Sequence, residues 1–557
     1  MFHFNVRNSM KTVCYFGVMI TLLGLPFSVS AGENGPENVD AAYASDEPAV
    51  ETGGLYMGRP LSYWISAYKD NDDAWFIRWR AIRAIRQLDS GSQDVVILLR
   101  KALKEKNSRI RLEAAGALVA IEGNARGAIE PLTEAFADKE AGVRILAAES
   151  LGQIGSDAKV AIPALVKALG DPEEGVRLAA IEALGEVGVS SPEVLAGLRS
   201  VLGDGSSLIR IQALLSLDLL NQSGSEGIPV LIASLNDPRP ATRELACDLL
   251  AARGKIAKPA VSALAGALKD TEKSVRVKAA VALQAIGPDA EPAAPALAQA
   301  LQDSKDAVLC EEVIHALYEI GPAARGAAAA VRNLLTDKRE NLRLRAAIVL
   351  EHLGTDADAA TQVLVDLLKS NDAEIRQAAA ESLTDFGSRG ASATKALIEV
   401  LTNKGEDLAV RRSAAQALGE LASNAELVLP VLIATLKDEA SEIRLAAISA
   451  IGDMRREAQA AVPALTAALG DSDNEVRQAA IQALGDLGPA AKEAVPAIIA
   501  VLNDKDRAIR SLAAESLGAI DPAAENVDQA LQGLRNDKSR HVRETAQTAL
   551  KKAKGTR

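Results

Sequence analysis

The chain has 557 residues, 48% of them apolar but only 3% aromatic, with 62 basic residues against 74 acidic ones and a net charge of −12. That length exceeds what one compact core organises, and the scarcity of aromatics leaves little to line a deep ligand pocket. The acidic balance excludes general nucleic-acid binding, which requires positive charge to displace phosphate counterions.

Residues 1–31 read as a signal peptide. Arg7 and Lys11 precede the apolar run "VCYFGVMITLLGLPF", and Val29 and Ala31 supply the small residues of a cleavage site. The run is shorter than the ~20 residues of a membrane span and Pro26 interrupts its end, so no transmembrane segment is expected after cleavage. Met10 offers an equally good start. The expected location is extracytoplasmic, periplasmic or secreted. Cleavage leaves Cys247 and Cys310, too few for a disulfide scaffold. Residues 32–58 carry acidic residues and no basic ones and read as a flexible linker.

From residue 59 onward the chain repeats itself. "VRILAAESLGQIG" from Val143, "VRLAAIEALGEVG" from Val176 and "VRQAAIQALGDLG" from Val476 are variants of one segment. Its Arg recurs as Arg78, Arg111, Arg144, Arg177, Arg210, Arg243 and Arg276, always 33 residues apart, and again as Arg343, Arg376, Arg411, Arg444, Arg477, Arg510 and Arg543. Cys310 fills the register between the two series, giving about fifteen repeats. Each repeat reads as two helices. On the second, apolar residues at −1, +3, +7 and +10 from the Arg, such as Val176, Ala180, Leu184 and Val187, form one face. A glycine ends it. The first helix carries an early proline (Pro163, Pro229, Pro295, Pro430, Pro463, Pro496), where a missing N–H costs little. Neither helix can bury its stripe alone, so the repeats must stack into an all-α solenoid.

The two ends differ. Residues 59–90 hold Trp64, Trp75 and Trp79, with Tyr56, Tyr63 and Tyr68 beside or among them; they seal the open face of a terminal repeat or anchor a partner. Residues 523–557, with a polar outer face, form the other capping repeat.

The pattern D…VR..A..AL…G over about 33 residues resembles HEAT repeats, and is similar in particular to the bacterial phycobilisome-lyase HEAT-like repeats of the E-Z type. The resemblance covers residues 59–557. It implies a right-handed superhelix that mainly provides binding surfaces, with an Asp/Arg ladder tying the repeats together. Six residues before the Arg stands an Asp in most repeats. The pairs Asp138 and Arg144, Asp171 and Arg177, Asp204 and Arg210, Asp438 and Arg444, Asp471 and Arg477, and Asp504 and Arg510 are assigned to this structural ladder, the Asp also capping the second helix.

Function is expected at positions +1, +2, +5 and +9 of the second helix, which by the resemblance line the concave surface. There Ile145, Leu146, Leu178, Ile211, Leu215, Leu219, Leu245, Val277 and Val281 suggest a groove for a protein or peptide partner, against the alternative that some pack between layers. Farther on, Glu381, Asp385, Glu420, Asp453 and Asp486 read as a solvated face. No catalytic motif, His-Glu dipeptide or Cys-x-x-Cys is present after the signal, and no cofactor is expected. The favoured reading is a non-catalytic scaffold or adaptor. The alternative is a lyase-like or oxygenase-like enzyme, or its accessory subunit, using a weak metal site of Glu312, His315, Glu319 and His352 around Glu311. Cys310 and the lengthened turn "DSKDAVL", which displaces Asp303, predict a broken ladder and a hinge.

Overall fold

The computed structural model describes residues 55–71, 74–88, 92–120, 125–220, 224–303, 306–421 and 425–555. The signal peptide and all but the last four residues of the predicted linker lie outside them. Those four are not a tether. Leu55–Tyr56 (β1) pairs antiparallel with Arg59–Pro60 (β2) across a turn at Met57 and Gly58, both with positive φ, as a two-residue hairpin of matching twist requires.

Beyond the hairpin the chain is helical, in two compact units divided between Ile286 and Gly287. The first contains seven second helices, from Trp75–Leu88 to Lys273–Ile286, and the second contains eight, from Ala307–Ile320 to Arg540–Gly555. Fifteen repeats are therefore present among the described residues, as the arginine register predicts. Within each unit, second helices pack on the second helices of neighbouring repeats, and each first helix packs on its own partner.

The repeat at Arg177 shows how the sequence produces this. A short 3-10 segment, Gly155–Ala161, leads into the first helix, Ile162–Ala168, with Pro163 in its first turn. The second helix, Glu174–Val187, ends at Gly188 with φ +71°, a left-handed cap that a side chain would strain. Val176, Ala180, Leu184 and Val187 are at most 1% exposed, as expected. Ala179, Ile181 and Ala183 are buried too. The helix lies against its own first helix and both neighbouring second helices, so its buried face is wider than one stripe. Pro430 departs from the predicted pattern. Its first helix begins earlier, at Ala425, and the proline lies inside it.

The ladder is one repeated set of bonds. In the Arg144 repeat, the Arg144 Nη1 donates to the carbonyl oxygen of Asp138 at 2.8 Å, inside its own repeat. Its Nε and Nη2 donate to the two carboxylate oxygens of Asp171, both at 2.8 Å, in the next. The same bidentate contact joins Arg243 to Asp270, Arg444 to Asp471 and Arg510 to Asp537. Arg111 pairs with Asp138, Arg177 with Asp204 and Arg411 with Asp438; Arg477 reaches Asp504 more loosely, at 3.7 Å. Each guanidinium thus ties two turns. The aspartate does not cap the second helix as predicted. Asp471 accepts from the N–H of Asp473, and Asp473 is the residue that caps Asn474–Leu487, through the N–H of Glu475.

Arg78, Arg343 and Arg376 lack an aspartate 27 residues on and pair instead with Glu105, Glu340 and Glu406. Two further places break the pattern more deeply. Arg210 keeps its bond to the Asp204 carbonyl, but Asp237, its expected partner, is held by Arg239 and Ser207. Ser207–Leu219 and Pro240–Arg253 then touch only sparsely, and an open polar cleft of about 640 Å³ lies between the turns, lined by Arg177, Asp204, Ser206, Asp237 and Arg239 among others. At Cys310 the arginine is absent, as the sequence says, but the following aspartate is not abandoned. Arg339 donates to both oxygens of Asp337, each at 2.9 Å, and holds its carboxyl down to about 2. The aspartate expected to be left without a partner is held from within its own turn.

The Arg444 guanidinium holds the Asp471 carboxyl below the usual carboxylate range, and Arg510 does the same for Asp537. A carboxylate depressed in the folded state adds stability above its unfolded pKa and loses it as pH falls through the folded value. The unfolding free energy, from urea titrations followed by circular dichroism, should therefore fall steeply below about pH 4. A flat profile down to roughly pH 2.5 would remove the ladder from the account.

Candidate functional site

The ladder arginines named above are engaged by aspartates and carbonyls, which leaves the variable positions of the second helices as the candidate surface. The nine apolar positions divide by exposure. Ile211 is 1% exposed and Leu245 7%, so both belong to the core and are withdrawn as partner-binding residues. Positions +1 and +2 look toward adjacent layers. A Cβ on Gly175 would lie 3.0 Å from Ile145 Cδ1, and one on Gly116 would lie 3.3 Å from Leu146 Cδ2. At +9, Leu219 packs over Gly185 of the preceding repeat, its Cδ1 3.1 Å from where a Cβ would stand, yet remains 41% exposed. Leu178, Leu215, Val277 and Val281 are half-buried, as are Ile145 and Leu146. Apolar surface thus survives at +1, +5 and +9 after the layers have closed.

The sequence reading missed the charges beside these residues. Glu149 and Glu182 occupy +5 in successive repeats and Glu186 occupies +9, so the three stand on neighbouring helices, with Leu178 one turn before Glu182. Gly152 makes room for the Glu186 carboxylate, whose Oε2 occupies the space a Cβ would need. Among the described residues, no hydrogen bond or ion pair reaches any of the three. Burial, then the charges of Glu186 and Glu149, push the Glu182 carboxyl up to about 7. Burial raises Glu149 and Glu186 as well, Glu149 also through the charge of Glu186. In the sequence the group stands as three acids in the +5 and +9 columns, interleaved with the apolar residues of the same columns.

Carboxylates nearby on this face are treated differently. Lys278 Nζ lies 2.6 Å from Asp248 and 3.5 Å from Glu244. Arg253 bonds both oxygens of Asp218 at 3.0 and 3.1 Å. In the second unit the corresponding acids are exposed; Glu381 accepts from Gln377 and from the Ser413 hydroxyl, and Asp486 from Gln482.

The alternative cluster does not assemble. His315 lies between Glu312, 3.7 Å from its Nδ1, and the guanidinium of Arg345, which contacts Nε2. A cation therefore already occupies the face of His315 that a metal would need. His352 instead stacks on the Tyr318 ring, centroids 4.4 Å apart. Among the described residues, no group of three or more His, Cys, Asp or Glu is placed to hold a metal ion. Cys247 and Cys310 are buried free thiols, and burial, then Asp248, pushes the Cys247 thiol up to about 12. No described helix is long and apolar enough to cross a membrane.

Stacked helix pairs joined by an Arg/Asp ladder define the class of protein, an α-solenoid. The family described as HEAT repeats matches residues 61–152, 129–218, 228–318, 311–384, 327–418, 361–452, 394–485 and 462–551, and the chain belongs to that family. No curated protein matches it. Among solved structures it is similar to an engineered protein, at 27% identity over 35% of this chain and 96% of that one, with a TM-score of 0.28. It is similar to Kap95p, whose binding induces the switch loops of RanGDP to adopt the GTP-bound conformation, at 13% identity over 89% of this chain and 77% of that one, TM-score 0.48. Kap121p, solved bound to Pho4p, gives 14% identity and a TM-score of 0.44; the match covers 85% of this chain and 58% of Kap121p.

A carboxyl raised in the folded state penalises folding once ionised, and the penalty grows as pH rises from the unfolded to the folded pKa. Wild-type stability should therefore drop by about 1–3 kcal/mol between roughly pH 5 and pH 8 beyond the drop in Glu182→Gln. Parallel urea-denaturation profiles for the two proteins would show that Glu182 is not desolvated.

Proposed function

We propose that this chain is an exported, non-catalytic scaffold or adaptor that binds a segment of another protein along the second-helix face between residues 143 and 281. The observation that carries the reading is the half-exposed row Leu178, Leu215 and Leu219 beside carboxylates that no group in the described chain neutralises. Burying more of those side chains under a partner releases apolar surface from water, at roughly 25 cal/mol per Å². Repetition supplies such a face in successive registers, which suits an extended or helical segment better than a small molecule. Export is part of the proposal and rests on the sequence of residues 1–31.

The test uses protein recovered from the extracytoplasmic fraction, expected to begin at Gly32. It serves as bait in that fraction, beside Leu178→Glu/Leu219→Glu and a control, Gln377→Glu/Gln482→Glu, at exposed or half-buried positions of the second unit. A partner retained by wild type and control but reduced at least about tenfold by the leucine variant supports the proposal. A partner lost equally from both variants, or a bait found with residues 1–31 intact and confined to the cytoplasm, contradicts it.

A further inference from the structure

The first repeat is chemically unlike the rest of the molecule. Residues 55–88 hold six basic residues and three acidic ones in a chain whose net charge is −12. Its buried aromatics close the end of the stack: Trp64 Nε1 donates to the Tyr56 carbonyl at 3.3 Å, and Tyr68, 1% exposed, donates to Glu105. Those side chains are committed to the core of the first repeat. A second set is not. Met57, Tyr63, Trp75 and Ile77 remain 42, 45, 42 and 39% exposed, a concentration of large apolar side chains on one terminal repeat. Arginines sit against this set. Arg80 Nη2 lies 2.9 Å from Met57 Sδ, and the guanidinium of Arg59 lies 4.8 Å over the Tyr63 ring. Arg83 lies 5.5 Å over Trp79, and Arg109 5.7 Å over Trp75. The surface is apolar, aromatic and cationic together.

The chain itself supplies a matching occupant. Residues 32–54 carry Glu33, Glu37, Asp40, Asp46, Glu47 and Glu51 with no basic residue, and they include Val39, Tyr43 and Val50. This segment joins the fold at Leu55, one residue before Tyr56 and two before Met57, so its attachment point is at the edge of the patch. Fully extended, its 23 residues would reach about 75 Å, far more than the span of one repeat. Attachment at such short range gives an effective concentration on the order of millimolar, so weak ionic and apolar contacts suffice. A separate acidic protein or an anionic surface would have to outcompete that tethered segment.

We infer that the arginine–aromatic face of the first repeat is a docking surface for the chain's own acidic segment, residues 33–51. The carboxylates meet Arg59 and Arg80, and the segment's apolar side chains cover Met57, Tyr63 and Trp75. This inference is independent of the partner face proposed for residues 143–281.

Trp64, Trp75 and Trp79 are the chain's three tryptophans, so fluorescence quenching by neutral acrylamide reads the first repeat alone in the full protein, with buried Trp64 as a constant background and Trp75 as the exposed reporter. The comparison is wild type against the chain with Glu33, Glu37, Glu47 and Glu51 changed to Gln and Asp40 and Asp46 to Asn. Those positions lie outside the described helices, which separates the readout from the folding of the array. The inference predicts a quenching constant roughly twofold higher in the neutral variant at low salt, with wild type rising to match it at about 1 M NaCl. Arg59→Gln/Arg80→Gln should raise it as well. Equal quenching of wild type and neutral variant at low salt overturns the inference. So does shielding that appears only as protein concentration rises, which assigns the surface to a second copy, or only with anionic phospholipid vesicles, which assigns it to a membrane.

Discussion

The structure depends on one recurrent contact, the bidentate bond from an arginine at the start of a second helix to an aspartate 27 residues later, as in Arg144, Arg243, Arg444 and Arg510. Helix pairs of Ala and Leu pack well in many registers, because small side chains interdigitate without a unique fit. The guanidinium fork removes that freedom. Its Nη1 is fixed on a carbonyl of its own turn while Nε and Nη2 are fixed on the carboxylate of the next, so one planar group sets the spacing and rotation of two layers. The side chains of Arg444 and Asp471 are each only 12% exposed. Removing two charges from water costs much of what their attraction returns, so the contact contributes more to registration than to net stability.

The exceptions follow from the same chemistry. Position 310 cannot supply a guanidinium, yet Asp337 is engaged, because Arg339 lies two residues after it in the same turn and can fold back. At Asp237 an arginine again stands two residues later. Arg239 takes the carboxylate, and Arg210 is left with carbonyls alone. The same local competitor thus fills a vacant rung in one place and displaces a normal one in another. The difference is whether the preceding repeat carries its own arginine.

Most of the fold was legible because it is periodic. A 33-residue register, an apolar stripe and a terminating glycine each recur often enough to be read without ambiguity, and the buried residues Val176, Ala180 and Leu184 follow directly. What the register did not reveal depends on contacts between layers. Ile211 and Leu245 occupy columns that face outward on an isolated helix, but an adjacent helix closes over them. The Glu149, Glu182 and Glu186 group is written in those columns too, but its significance is desolvation, which arises only once neighbouring helices bring the carboxylates together. The Glu312 and His315 spacing was legible as a pair; the Arg345 guanidinium that occupies it comes from the next repeat, 30 residues later.

A functional surface in such a molecule is whatever the ladder and the core leave uncommitted. The account therefore stands on the ladder, and a double-mutant cycle on Arg444→Met and Asp471→Leu tests it most directly, read by native-state hydrogen exchange in Ser441–Asp453 and Asn474–Leu487. The account predicts a coupling of about 1.5–3 kcal/mol there, and less than about 0.5 kcal/mol for the same cycle on Arg210 and Asp237. Equal couplings at the two sites, or additivity at Arg444 and Asp471, would contradict it.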